Sequence, residues 1–133
     1  MKKLLVLLFF AVLTINTALS QTQTEMIIEA KEVYKKVDAE LNELYQKIME
    51  EYSDNSSFVE DLKKSQDSWI IYRDSELNLR YPDREVGHYA SVHPMCVSNY
   101  LIGLTKERIE RLQIWLTGIE ERDLCSESAN KEC

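Results

Sequence analysis

The sequence predicts an all-α chain: a three-helix up-down-up bundle with a longer loop before the third helix and a polar C-terminal tail. Three observations carry that prediction. Apolar residues recur at steps of three and four through each long stretch, as one face of an α-helix requires. Gly and Pro are scarce, three and two in 133 residues, so little interrupts a helix. No long stretch alternates apolar and polar residues as a half-buried strand would.

Residues 1–20 read as a secretory signal peptide. Lys2 and Lys3 give a positive start, Leu4 to Leu13 is an apolar run of ten, and Ala18-Leu19-Ser20 places small residues where an export peptidase cuts. Spanning a bilayer takes about 18 or more apolar residues, so the run reads as a cleavable leader and not as an anchor. No cysteine follows the cleavage site to take a lipid. The mature chain is expected to begin at Gln21 and to be periplasmic or secreted, with a helical domain over 21–122 and a polar, cysteine-containing tail over 123–133. Loss of Lys2 and Lys3 takes the formal charge from −7 to −9. Such a chain lacks the clustered Lys and Arg that phosphate binding needs, which excludes nucleic acid. Anionic membrane surfaces repel it, and cationic partners are steered toward it.

The first amphipathic stretch runs Met26, Ala30, Val33, Val37, Leu41, Leu44, Ile48, Tyr52, one stripe of a long helix. Thr22 and Glu25 have capping-box spacing, which predicts a start near residue 23. The polar run Ser53 to Ser57 ends it. The second helix is expected after Ser57, where Ser57 and Glu60 repeat the capping-box spacing. Its face holds Leu62, Trp69, Ile70, Arg73 and Leu77, with Gln66 on the seam. Pro82 biases Tyr81 away from helix, so this element ends near Arg80. Residues 81–93 form the longest irregular segment. Pro94 suits the first turn of a third helix, whose stripe is Val97, Leu101, Leu104, Arg108, Leu112 and Trp115 and which fades over 118–122.

Three segments resemble one family. Asp38 to Tyr45 follows an A-D-x-x-L-N-x-x-Y pattern, with Val37 at the alanine. Leu62 to Glu76 follows L-x-x-[AS]-Q-x-x-W-x-x-[FY]-R-D-x-E through Gln66, Trp69, Arg73, Asp74 and Glu76. Cys96 to Leu112 follows C-x-x-x-L-x-x-x-[LT]-x-x-R-x-x-x-L and carries Arg108. Together they resemble the LprI-type lysozyme inhibitor domain, small exported bacterial proteins, over about residues 22–117. The resemblance implies a protein that binds a cationic lysozyme and blocks peptidoglycan hydrolysis, without enzymatic activity or cofactor. The alternative is an envelope interaction or stress module of the same fold without inhibitory action. The chain departs from the family pattern at Glu29 and Leu77, both cysteine positions in relatives. Their joint loss is coherent if those cysteines pair with each other.

The residues suggest how roles divide. Gln66, Trp69, Arg73 and Glu76 share one side of the second helix, and Asp38, Asn42 and Tyr45 one side of the first. A charged Arg near a core needs a partner, so Arg73 is expected to bond Asp38 or Asn42 across the bundle. Asp38, Asn42, Gln66, Trp69, Arg73, Asp74, Glu76 and Arg108 form an expected structural polar network. The partner-binding surface is placed in the loop, at Asp83, Glu85, His88, Tyr89 and His93, since loops on rigid scaffolds carry binding. Acidic residues there complement a cationic lysozyme, and Tyr89 offers a stacking anchor. Asp74 and Glu76, two apart on a helix, point to different sides and cannot flank one glycosidic bond. His88, His93 and Cys96 lack a fourth ligand at zinc spacing, so neither a metal nor a catalytic residue is assigned. Cys96, Cys125 and Cys133 are an odd count for an oxidising compartment. Cys125–Cys133 is the short local closure, with Cys96 then buried and free; Cys96–Cys133 and intermolecular pairing stay open.

Overall fold

The computed structural model describes the backbone of residues 2–118 and the side chains of residues 22–118. Three helices follow one another: α1 (Lys2–Glu51), α2 (Ser56–Arg80) and α3 (His93–Thr117). No strand occurs among the described residues. The architecture is an all-α three-helix bundle in which α1 and α3 pack closely and α2 lies against them more loosely.

α1 does not begin near residue 23. It is one continuous helix from Lys2, because no Gly or Pro occurs between Lys2 and Glu51 to break it. Thr22 and Glu25 therefore sit inside the helix and not at its start. Among the described residues, no helix is long and apolar enough to cross a membrane. α2 begins at Ser56 and takes its cap from Asn55, whose side chain accepts the Phe58 N–H at 3.0 Å. Ser57 is thus already helical. The upstream carboxamide satisfies an orphan donor of the first turn. At the other end the Tyr81 N–H still reaches the Leu77 carbonyl at 2.8 Å, and the chain leaves the helix ahead of Pro82. α3 carries Pro94 in its first turn and stops at Gly118, whose φ of 77° lies in the left-handed region.

The core joins Val37, Leu41 and Ile48 of α1 to Leu62 of α2 and to Ile109 and Leu112 of α3. Leu41 and Ile48 are at most 1% exposed, so their removal would leave cavities that close neighbours cannot fill. Apolar stripes are not buried throughout. Met26 and Val33 on α1, and Ile70, Ile71, Tyr72 and Leu79 on α2, stay exposed. An aromatic knot closes the end where α1 turns into α2. Phe58 stacks on Tyr52 with centroids 4.2 Å apart, both meet the Trp115 ring edge-on, and the Tyr52 hydroxyl donates to the Trp115 carbonyl at 2.9 Å.

The expected polar network divides into separate contacts. Arg73 does not reach Asp38 or Asn42. Its Nε and Nη2 both bond Oδ1 of the adjacent Asp74, at 2.9 and 2.8 Å, and its guanidinium lies 5.3 Å from the Trp69 ring centroid. The neighbour in sequence supplies the countercharge, so no cross-bundle partner is required. Asn42 turns back onto Asp38, donating to its carbonyl at 2.9 Å. Arg108 and Tyr100 of α3 do cross to α2. Arg108 Nε donates to Gln66 Oε1 at 3.1 Å, and the Tyr100 hydroxyl donates to Glu76 Oε2 at 3.1 Å. Cys96 is free and half-buried rather than buried. Cys125, Cys133, the 123–133 tail and the fading end of the third helix lie outside the described residues.

Candidate functional site

The segment between α2 and α3 is a braced loop with an exposed crown. Its crown is a tight turn in which the His88 N–H donates to the Glu85 carbonyl at 3.0 Å. Val86 and Gly87 are the central residues. Gly87 has a φ of 89°, and a Cβ there would meet nothing within 4 Å. Glycine is thus required by the backbone conformation and not by space, as at the third position of a type II turn. Val86 points wholly into solvent, at 107% relative exposure. Asp83, Arg84, Glu85 and His88 surround it, all exposed, and line a shallow open depression.

The base of the loop is rigid for identifiable reasons. The Tyr89 hydroxyl donates to the Pro82 carbonyl at 2.6 Å and ties the descending limb to the ascending one. The Tyr89 ring lies flat on His93, with centroids 4.0 Å apart and planes 6° from parallel. Tyr81 meets Tyr89, His93 and Tyr100 edge-on, geometries that suit the aromatic quadrupole. His88 adds an edge contact to Tyr89 at 4.9 Å. The stack is anchored on both helices. Tyr100 reaches Glu76 on α2, and the Arg80 guanidinium lies 5.6 Å from the Tyr100 ring. Ser91 Oγ donates to Gln23 Oε1 of α1 at 3.1 Å. Partial burial holds the Tyr100 hydroxyl above the usual phenol range, reinforced by the Glu76 carboxylate and opposed by Arg80.

The five loop residues singled out from sequence therefore fall into two groups. Asp83, Glu85 and His88 stand at the surface around the crown. Tyr89 and His93 are half-buried and face each other, so they hold the loop and present little to a partner. Val86 and Arg84 went unassigned in the sequence reading. A lone apolar residue beside a glycine in a polar loop carries no periodic signal; only the Val86-Gly87 turn hints at it. His93 is occupied by the stack, and no grouping of three or more His, Cys, Asp or Glu side chains placed to hold a metal occurs among the described residues.

The loop's setting matches that of known proteins over most of the chain. The family described as lysozyme inhibitor LprI matches residues 15–112. An uncharacterized protein of Rhizobium meliloti (strain 1021) is 33% identical over 103 residues, 69% of this chain and 72% of that protein. No solved structure matches the chain. The family match covers most of the chain, and the chain belongs to the LprI lysozyme inhibitor family.

Proposed function

We propose that this protein is an exported lysozyme inhibitor that docks on its target through the crown of the α2–α3 loop. The carrying observation is the fully exposed Val86 at the apex of a loop whose base is closed by Tyr89, Pro82 and His93. A convex, pre-ordered apex is the shape that enters an enzyme cleft, and pre-ordering removes the entropic cost of fixing a loop on binding. Asp83 and Glu85 flank the apex with negative charge, which suits the cationic exterior of a lysozyme and speeds encounter. Blocking needs no chemistry from the inhibitor, and family membership supports the reading. Export through the 1–20 leader supplies the compartment in which lysozymes act.

The experiment is a lysis assay on a peptidoglycan suspension with purified residues 21–133. Dose-dependent slowing supports the proposal. Lysis unaffected with several lysozyme types rejects it and leaves the non-inhibitory envelope module of the same fold.

A further inference from the structure

Away from the loop, α2 and α3 are separated by a groove that brings two arginines of this acidic chain together. Two adjoining depressions, of about 310 and 400 Å³, share Ser65, Arg108 and Arg111. Trp69 and Tyr72 wall one of them, and Phe58 and Trp115 the other. Arg108 is held in place by oxygens that carry no formal charge. Its Nε donates to Gln66 Oε1 and its Nη2 to Ser65 Oγ, both at 3.1 Å, and its guanidinium lies 6.0 Å from the Trp69 ring centroid. Gln66 is only 9% exposed, so the support beneath Arg108 is a fixed, buried carboxamide. Among the described residues, no carboxylate lies within ion-pair distance of Arg108 or Arg111. Burial and the neighbouring Arg111 both lower the pKa of Arg108. A half-buried guanidinium with a second one beside it and no carboxylate in ion-pair contact is free to donate charge-assisted bonds to an anion.

We propose that this groove binds a small sugar bearing a single carboxylate. The fork of a guanidinium matches a carboxylate in two parallel hydrogen bonds. The sign and size of the ligand charge follow from the lining. Asp61 and Glu107 also line the groove without pairing either arginine, so a monoanion meets less repulsion there than a phosphate dianion. Arg73 and Arg108 already lie over Trp69, so the exposed Tyr72 ring, beside the Ser65 and Ser68 hydroxyls, is what offers a sugar ring an apolar face and polar edges. The site is independent of the loop and of lysozyme binding.

Tryptophan fluorescence titration of residues 21–133, without lysozyme, tests this with four probes. N-acetylmuramic acid carries both ring and carboxylate, N-acetylglucosamine the ring alone, lactate the carboxylate alone, and inorganic phosphate neither. Saturable binding of N-acetylmuramic acid, at least tenfold tighter than each of the others, is expected. Arg111→Ala should weaken it about tenfold, the loss of one charge-assisted contact. Arg111 is exposed and makes no ion pair, so this variant is expected to keep the wild-type thermal midpoint. Absence of saturation overturns the proposal, as does equal binding of N-acetylglucosamine, lactate or phosphate, or an Arg111→Ala variant that binds unchanged.

Discussion

Tyr89 closes the α2–α3 loop on Pro82: its hydroxyl donates to the Pro82 carbonyl at 2.6 Å while its ring lies flat against His93. One side chain thus ties two limbs of the loop together and fastens both to the start of α3. Tyr89→Phe keeps the stack and deletes only the bond, so it should cost about 1 kcal/mol of unfolding free energy. The same variant should speed hydrogen exchange at the His88 N–H, which closes the crown turn on Glu85. Denaturant titration and amide exchange read the two effects separately.

The core offers a sharper contrast. Leu41 and Ile48 are at most 1% exposed, while Ile71 is 68% exposed. Leu41→Ala and Ile48→Ala should each destabilise by about 2–5 kcal/mol through cavity formation. Ile71→Ala should stay within about 0.5 kcal/mol, although it deletes as many carbons. Denaturation midpoints of the three variants check this.

The Gln66–Arg108 link should behave as a coupled pair. Gln66→Leu leaves the Arg108 guanidinium without its main acceptor and should cost about 1–3 kcal/mol. Arg108→Met leaves the buried Gln66 carboxamide unpaired, with a cost of similar size, about 1–3 kcal/mol. The double variant should cost clearly less than the two combined, since each single change strands the other's polar group. A double-mutant cycle in urea measures the coupling.

Alkaline pH should weaken the fold. The phenol pKa values of Tyr34, Tyr45 and Tyr100 are all raised, foremost by burial, with Asp38 and Asp74 adding at Tyr34, Asp67 at Tyr45 and Glu76 at Tyr100. Arg73 opposes the shift at Tyr34. A raised phenol keeps its proton in the folded state after the unfolded chain has begun to lose its own. The unfolded state then holds fewer protons, so stability falls as pH rises. These contributions are complete below pH ~10, the ordinary tyrosine value, and disappear as pH climbs through the higher folded values. Tyr100→Phe should make the alkaline decline shallower, read from urea midpoints across that range.

The fold was largely legible because each long helix repeats its apolar residues at three and four. The repeat tells which face is apolar, but not whether another helix covers it. Met26 and Val33 continue the α1 stripe and remain exposed, lining an open depression beside Met95 and Asn99 of α3, while Ala30 between them is buried. The start of α1 was misplaced because Thr22 and Glu25 have a cap's spacing, yet no helix breaker precedes them. Arg73 was expected to bond Asp38 or Asn42 across the bundle and took Asp74 instead, since a partner one residue away requires no bundle geometry. At the site, the loop's position followed from Pro82 and Pro94. The division between Tyr89 and His93 as brace and Val86 as crown depends on ring stacking between residues four apart, which a sequence pattern does not encode.

The most direct test compares residues 21–133 with two loop variants, Val86→Arg and the pair Asp83→Lys with Glu85→Lys, in the peptidoglycan lysis assay. All three positions are exposed, so the folds should be unchanged by circular dichroism and thermal midpoint. The account predicts dose-dependent inhibition by the wild type and at least tenfold weaker inhibition by each variant, with the charge reversal also lessening the loss of association rate on added salt. Inhibition of undiminished potency in both variants, or none from the wild type, would contradict it.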